Sequence, residues 1–450
     1  MDTGYAAWML ASASLVLLMT PGLAFFYGGM TRSKSVLNMM MMSFGAMGVV
    51  GVVYVLWGWS MSFGTFDAEQ DVLNLFNNPF ELFGLVDIDP ASYVFVGFQM
   101  TFAVITAALI SGAIADRAKF STWLVFVPIW LTLSYFPLAH MVWSGVGFLG
   151  PIEDGLSGLI FGVADGAAKI APIDYAGGTV VHINAGVAGL VLALILGIRK
   201  GFGKESLRPH NVPFTMLGAG LLWFGWFGFN VGSIVPVATQ GVAGDEADFF
   251  QNSVDFATNF VGETGLVWVN TVVATSAAML GWLLVERIRH GKGTGIGAAS
   301  GVVAGLVAIT PACGSLSPVG SIILGLVAGI LCALAVGLKY RFGLDDSLDV
   351  VGVHLVGGLV GTIGIGFLGT ATGLFYGHDY KQLVVQTAVA LFAILWSGVA
   401  TLIIGLALKA TLGWRVDDED EVNGIDFAEH GETAYDYVGT AGSSHQPKGV

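Results

Sequence analysis

Long apolar stretches recur along almost the whole of this 450-residue chain, and they restrict its possible folds more than any other feature. Each is close to the roughly 20 residues that an α-helix needs to cross the hydrocarbon core of a membrane. Hydrophobic residues make up 55% of the chain and charged residues only 11%, which is too apolar for a water-soluble protein. The stretches also lack the alternation of apolar and polar residues that is typical of a membrane β-barrel. We therefore predict an all-α polytopic membrane protein.

The apolar stretches correspond to eleven predicted transmembrane spans. Their approximate boundaries are residues 5–29, 37–63, 92–115, 121–143, 175–198, 213–235, 263–287, 296–312, 318–339, 350–370 and 383–412. The composition changes abruptly after the last span, where an acidic run follows at 417–421. We therefore expect a transmembrane domain over residues 1–412 and a cytoplasmic tail over residues 413–450.

Basic residues lie almost entirely on one side of the predicted spans. Sixteen of the 18 lysines and arginines follow odd-numbered spans or belong to the tail, and only Lys169 and Lys381 lie on the opposite side. Loops rich in lysine and arginine stay in the cytoplasm. This predicts a multi-pass protein of the cell membrane with its N-terminus outside and its C-terminus in the cytoplasm.

Two predicted spans carry a histidine inside the apolar run. Seven residues separate Asp174 from His182, and the same number separates Asp346 from His354. An ionisable group inside a span is costly and indicates a functional site. The two helices lie five spans apart and run in opposite directions, which indicates an inverted repeat with a binding or permeation site near the membrane midplane. The predicted halves cover about 5–198 and 213–370, and the peripheral eleventh span covers about 383–412.

The net charge of −14 arises largely from acidic loops and from the tail. Two predicted outer loops, residues 64–91 and 241–263, are rich in aspartate and glutamate. They form either a vestibule that concentrates cations or simply a solvated acidic surface. We expect no nucleic-acid partner because the chain has no basic patch, and no histidine or cysteine has the spacing of a metal ligand.

Several motifs are found together in this chain. They are the run from Asp174 to Gly186, the run Phe-Gly-Trp-Phe-Gly-Phe-Asn-Val-Gly-Ser at 224–233, Thr-Pro-Ala-Cys-Gly at 310–314, and the run from Asp346 to His354. With lesser matches they make residues 24–435 resemble the Amt/MEP branch of the ammonium transporter superfamily. The resemblance implies an eleven-helix fold, a homotrimer with one pore per subunit, and net inward movement of ammonium. We expect neither enzymatic activity nor a bound cofactor.

The resemblance assigns an outer recruitment site and a gate to Trp143, Phe102, Phe229 and Ser233. Aromatic faces attract a small cation by roughly 0.5 to 2 kcal/mol. The Ser233 hydroxyl can accept a hydrogen bond from ammonium, which potassium cannot donate. Considered without the resemblance, aromatic residues at the end of a span are more often part of an interfacial belt or of helix packing.

His182 and His354 resemble the twin pore histidines of the family, which share a hydrogen bond below the gate. Ammonium is then expected to bind outside, lose its proton and cross as ammonia. At the start of span five, Asp174 is expected to cap backbone N–H groups rather than to contact the substrate. Asp346 has the equivalent place on span ten, and Thr310 is expected to be a structural residue near the site.

The segment 424–435 resembles the cytoplasmic regulatory tail of the family, to which PII signalling proteins can bind in relatives. Two other functions remain open at this point. An ammonium sensor could use the same fold, and a membrane haem protein could use His182 and His354 as axial ligands. The glycines beside both histidines favour close helix contact over a bulky macrocycle.

Overall fold

The computed structural model describes residues 3–65, 68–204, 208–234 and 246–435. Ten helices in these ranges are long and apolar enough to cross a membrane. They are Thr3–Met30, Val36–Ser62, Pro90–Ile114, Phe120–Trp143, Gly178–Leu196, Val212–Val231, Asn259–His290, Pro318–Phe342, Val351–Leu368 and Lys381–Thr411. The seventh is the apolar part of a longer helix, Glu246–His290.

A shorter apolar helix, Gly295–Ile309, takes the place of the predicted eighth span. Its start is capped by Thr294, whose side chain accepts the N–H of Gly297. Its end precedes Pro311, which has no backbone N–H to continue the helical hydrogen bonds. With this helix counted as span 8, the chain has spans 1 to 11, and the predicted all-α polytopic fold is confirmed.

Short elements occupy the loops between the spans. Strands Asp71–Val72 and Phe76–Asn77 pair antiparallel in loop 64–91, and strands Val163–Ala164 and Ala167–Ala168 form a second hairpin. Further short helices lie outside the spans or next to them. They are Ala68–Gln70, Phe83–Leu85, Leu156–Phe161, Leu374–Tyr376, Asp418–Asn423 and Ile425–His430.

Several spans contain a π-helical segment, in which one residue more is fitted into a turn. In the described part of the chain these segments are Tyr54–Gly58, Leu131–Tyr135, Gly178–Ile183, Phe227–Val231 and Val351–Leu355. π-helical turns are rare and occur frequently at functional sites. Three of the five carry predicted site residues, namely His182, Phe229 and His354.

Glycines bring spans 5 and 10 close together beside the two histidines. A Cβ atom on Gly186 would lie 2.5 Å from the backbone nitrogen of Leu355. A Cβ atom on Gly358 would lie 3.2 Å from the Cβ atom of His182. Small residues permit this close approach of helices in a membrane, so larger side chains at Gly186 would separate the spans that carry the histidines.

The described part of the tail packs against loops of its own chain. The Asp426 carboxylate accepts the N–H of Asn38 at 2.8 Å, and the Glu429 carboxylate accepts the N–H of Phe120 at 2.8 Å. The Tyr435 hydroxyl bonds Nε2 of His210 at 2.9 Å. Tail side chains therefore satisfy backbone groups at the starts of spans 2 and 4, and the predicted tail residues 436–450 lie outside the described ranges.

A buried ion cluster joins the ends of spans 3 and 5 to the segment before span 10. The Arg199 guanidinium bonds the Asp345 carboxylate at 2.8 and 2.9 Å and the Asp116 carboxylate at 2.7 Å. Arg117 donates to the Asp345 carbonyl oxygen at 2.8 Å. Burial raises the pKa of the Asp345 carboxyl, but hydrogen bonds and charge from Arg199 and Arg117 outweigh burial and hold that pKa below its usual range.

Replacing Asp345 by alanine is expected to destabilise the protein by about 3–5 kcal/mol, because it leaves Arg199 and Arg117 buried without this counter-charge. The contribution is present above the usual pKa of aspartate and is lost as pH falls through the lowered folded-state value. Thermal unfolding of the purified protein in detergent measures it. Asp379→Ala, which breaks an exposed pair with Lys381, is the matched control and should change the midpoint little. Equal midpoints for parent and Asp345→Ala would contradict the prediction.

Candidate permeation site

A narrow cavity lies between the two predicted halves of the chain. Its volume is about 10 Å³, which is at the lower limit for holding one water-sized molecule. Its lining residues are Met19, Leu23, Ile105, Leu109, Val181, His182, Leu222, Trp226, Phe229, Val303 and His354. They come from spans 1, 3 and 5 and from spans 6, 8 and 10, so corresponding spans of the two halves share the cavity, as an inverted repeat predicts.

His182 and His354 meet at this cavity. Their Nδ1 atoms lie 3.3 Å apart, and the ring planes are inclined by 19°. A neutral imidazole has one donor and one acceptor nitrogen, so a hydrogen bond between the two rings requires complementary tautomers. The Nε2 atom of His182 is buried and has no hydrogen-bond partner among the described residues. It can therefore bond a small polar guest in the cavity.

Two phenyl rings lie between the histidines and Trp143. The rings of Phe102 and Phe229 are stacked, with centroids 4.1 Å apart and an interplanar angle of 10°. Trp143 meets Phe102 edge to face at 6.0 Å, and Phe229 lies 6.2 Å from the His182 ring. Both phenylalanines are buried. The predicted recruitment residue, gate and histidines thus form one continuous line of rings, closed at the stacked pair.

Ser233 lies one turn beyond Phe229, at the end of span 6. Its hydroxyl donates to the Phe229 carbonyl oxygen at 2.8 Å, which leaves the oxygen lone pairs available as acceptors. The carbonyl groups on either side of Ser233 are held by span 1. Trp8 donates to the Val231 oxygen at 3.3 Å, and Tyr5 donates to the Ile234 oxygen at 3.1 Å.

Asp174 precedes span 5, and its carboxylate is occupied by the start of that helix. It accepts the N–H groups of Gly177 at 2.8 Å, Gly178 at 2.6 Å and Thr179 at 2.8 Å. It also accepts the Thr179 hydroxyl. These bonds satisfy donors that a helix start leaves without partners. The Asp174 carbonyl oxygen accepts the indole N–H of Trp143 at 2.9 Å, so the same residue also orients the indole ring.

Asp346 makes the corresponding contacts at the start of span 10. Its carboxylate accepts the N–H groups of Val350 at 3.0 Å and Val351 at 2.7 Å. Burial, together with the charge of Asp349, raises the pKa of Asp346 to about 6. Asp346 does not line the cavity. Like Asp174, it binds the start of a helix and is not part of the line of rings.

The Thr310 hydroxyl is the centre of a buried polar network. It accepts the indole N–H of Trp226 at 2.8 Å and lies 2.7 Å from the Leu306 carbonyl oxygen. It also lies 3.3 Å from the Asn230 side-chain oxygen, and the Asn230 amide donates to Thr271 at 3.0 Å. The network therefore ties the π-helical segment of span 6 to spans 7 and 8.

Sequence reasoning did not assign a role to Trp226. Its ring stacks on His182 with centroids 5.5 Å apart and an interplanar angle of 14°, so the imidazole lies between an indole and the second imidazole. Trp226 also packs beside Phe229 at 5.2 Å. The sequence spacing could have indicated this role, because Trp226 is three residues before Phe229 and residues three apart share one face of a helix.

Thr310→Val is expected to lower the free energy of unfolding by about 1–3 kcal/mol, because the buried Trp226 N–H loses its acceptor. Thr362→Val is a matched control. The Thr362 hydroxyl is also buried but has no hydrogen-bond partner in the described part of the chain. Thermal unfolding in detergent should separate the two variants, and an equal midpoint for both would contradict the proposed importance of the network.

Comparison with known proteins agrees with these observations. Residues 7–435 match the model of the Ammonium Transporter Family. An ammonium transporter of Mycobacterium tuberculosis is 51% identical over 482 aligned residues, covering 99% of this chain and 93% of the relative. The crystal structure of Saccharomyces cerevisiae Mep2 is 30% identical, with a TM-score of 0.76 over 93% of this chain and 91% of that chain.

A solved structure described as a sensor Amt protein is 27% identical, with a TM-score of 0.79 over 95% of this chain and 98% of that chain. The family model and the curated relative each cover nearly the entire chain, including every predicted site residue. Five of these site residues form the continuous line of rings described above, namely Trp143, Phe102, Phe229, His182 and His354. This chain therefore belongs to the ammonium transporter family.

Proposed function

We propose that the chain takes up ammonium along the line of rings from Trp143 to His354. Ammonium transport is the activity of its family. The proposal rests on four successive ring contacts that lead to a cavity of about 10 Å³. These contacts are Trp143 to Phe102, Phe102 to Phe229, Phe229 to His182 and His182 to His354. A cavity of this volume selects for a guest the size of water or ammonia.

Recruitment takes place at Trp143. The indole N–H is bonded to the Asp174 carbonyl, which fixes the ring and leaves its face for a cation, with an attraction of roughly 0.5 to 2 kcal/mol. Ser233 supplies hydroxyl lone pairs. The stacked rings of Phe102 and Phe229 must separate before the guest can pass, since they are in van der Waals contact in this conformation.

Beyond the gate, the guest crosses as ammonia. The cavity is lined almost entirely by apolar side chains, and an ion in such surroundings loses hydration that nothing replaces. Neutral ammonia can instead bond the ring nitrogens of His182 and His354, each of which offers a donor or an acceptor. The proton leaves ammonium at or above the histidines and travels separately, either back outside or along the imidazoles.

The proposed orientation places Trp143 outside and the tail in the cytoplasm, as the distribution of basic residues favours. We further propose a homotrimer with one pore per subunit, a transporter without enzymatic activity, and PII-type proteins as possible partners of the cytoplasmic face. Asp174, Asp346 and Thr310 act as structural residues in this proposal. A reporter fused after Arg208 that proved to be extracellular would contradict the orientation.

Uptake of radiolabelled methylammonium by cells that lack other ammonium transporters tests the proposed function. Cells expressing the chain should accumulate the label above the background of cells with an empty vector, and unlabelled ammonium should compete. Accumulation at background level, with the protein present in the membrane, would defeat the proposal. It would favour the sensor alternative, for which the resemblance to a structure described as a sensor is the supporting observation.

The haem alternative is disfavoured by geometry. Iron between two axial histidines would separate their nitrogen atoms and insert a macrocycle between the rings. The Nδ1 atoms of His182 and His354 are instead at a hydrogen-bonding distance of 3.3 Å, and Gly186 and Gly358 hold the two helices in close contact. The described residues leave no space there for a group of that size.

A further inference from the structure

A buried pair, His140 and Asp71, joins loop 64–91 to the helix that carries Trp143. Nε2 of His140 lies 2.8 Å from an Asp71 carboxylate oxygen, and Nδ1 lies 3.1 Å from the Ser62 carbonyl oxygen. The side chains of His140 and Asp71 are only 1% and 5% exposed. His140 is one helical turn before Trp143, so the pair lies beside the proposed recruitment site without belonging to the line of rings.

The hydrogen-bond partners determine how many protons the pair holds. A carbonyl oxygen can only accept, so Nδ1 of His140 must carry a proton to bond Ser62. A bond between Nε2 and Asp71 then needs one further proton, either on the imidazole, giving an ion pair, or on the carboxyl group. In both cases the bonded pair holds two protons, and removing one leaves two acceptors facing each other.

The loop also contacts the chain on the other side of Trp143. In the turn of the hairpin, the carbonyl oxygen of Asn74 accepts the N–H of Phe148 at 2.7 Å. The N–H of Asn74 in turn bonds the second oxygen of Asp71 at 2.5 Å. The hairpin therefore holds the chain at residues 140 and 148, and Trp143 lies between these two points.

We propose that Asp71 and His140 are positioning residues for ammonium recruitment, and that the hydrogen bond between them fixes the hairpin so that the Trp143 indole is held in place. Loss of that bond releases the hairpin and weakens recruitment without touching the histidine pore. This inference rests on the proposed role of Trp143.

Asp71→Asn keeps the tether but removes the charge of the carboxylate. The asparagine oxygen can still accept the N–H of Asn74, and its amide can donate to Nε2 of a neutral His140. The half-saturation concentration for methylammonium uptake should therefore be the same in Asp71→Asn as in the parent. A value raised as far in Asp71→Asn as in Asp71→Ala would overturn the hydrogen-bonded tether.

Asp71→Ala removes the tether. It should raise the half-saturation concentration about fivefold, as expected for one lost hydrogen bond, with the maximal rate unchanged. Asp87→Ala removes an exposed acid of the same loop and controls for surface charge. An unchanged half-saturation concentration in Asp71→Ala would overturn the positioning role. If that variant fails to fold, His140→Asn decides instead, because its shorter side chain can still donate to the Ser62 carbonyl but does not reach Asp71; an unchanged half-saturation concentration there would likewise overturn the positioning role.

Trp143→Leu distinguishes failure of the proposed recruitment site from failure of the inference about His140 and Asp71. If it leaves the half-saturation concentration unchanged, the proposed recruitment site is wrong. If it raises that concentration while Asp71→Ala matches the parent, recruitment at Trp143 stands and only the inference about the His140 pair is wrong.

Discussion

His182→Ala and His354→Ala should each reduce uptake of methylammonium about 5- to 150-fold, the equivalent of the roughly 1–3 kcal/mol that a buried polar group costs when its hydrogen bond is left unmade. Each variant removes one ring from the bonded pair and leaves the other without its partner. The loss should appear in the maximal rate more than in the half-saturation concentration, because recruitment at Trp143 does not involve the histidines.

The matched control is His378→Ala, since His378 is an exposed histidine in the loop before span 11. It should transport as the parent does. Uptake in cells lacking other ammonium transporters, corrected for the amount of protein in the membrane, measures all three variants. Parental rates in both pore variants would contradict the assignment of the histidines to the pathway.

Asp174→Ala should give the second large effect, on folding and transport together. The variant removes the acceptor for several backbone N–H groups and for the Thr179 hydroxyl at once. We expect a loss of about 3–5 kcal/mol in the free energy of unfolding, because bonds to a charged acceptor contribute about 1.5–3 kcal/mol each and are not additive. Transport should fall as well, because the carbonyl that holds the Trp143 indole moves with the chain.

Asp174→Asn should lie between the parent and Asp174→Ala, since its remaining oxygen can still accept the N–H groups of Gly177 and Gly178. Asp89→Ala is the control, because Asp89 also precedes a helix but accepts only one N–H, that of Ala91, at an exposed site. Thermal unfolding in detergent measures stability, and uptake measures transport. If Asp174→Ala retained parental stability but lost ammonium affinity, direct contact with the substrate would replace the capping role.

The sequence pattern was sufficient to predict two antiparallel helices that each carry a histidine. Each histidine follows an aspartate at the same spacing inside an apolar helix, and the distribution of basic residues made the helices antiparallel. An inverted repeat places the functional site between its halves, whereas the hydrogen bond between His182 and His354 was predicted from the family resemblance. The structure brings the two ring nitrogens to 3.3 Å.

Other parts of the site depend on contacts that no local pattern contains. The π-helical turns shift the register of spans 5, 6 and 10, and helical periodicity does not reveal one extra residue in a turn. Thr310 and Trp226 are 84 positions apart, and Asp71 and His140 are 69 positions apart. The sequence alone therefore could not identify the partner of His140.

The eighth span was predicted at about 296–312, whereas the helix is Gly295–Ile309. The apolar run continues through Ala312, and hydropathy alone does not mark where a helix ends. The helix ends at Ile309 because Pro311 has no backbone N–H to donate to the Val307 carbonyl oxygen, where the next helical hydrogen bond would form. That ending places the Thr310 hydroxyl where it meets the Trp226 indole.

Reconstituted protein in liposomes, given pulses of ammonium or potassium, tests directly whether ammonium passes along the histidine pair. Charge movement and the pH of the liposome interior are recorded together, so that transport is detected whether or not it carries net charge. We expect a response to ammonium but not to potassium in the parent, and loss of that selective response in both His182→Ala and His354→Ala. Unchanged, ammonium-selective transport in both variants would contradict passage along the histidine pair.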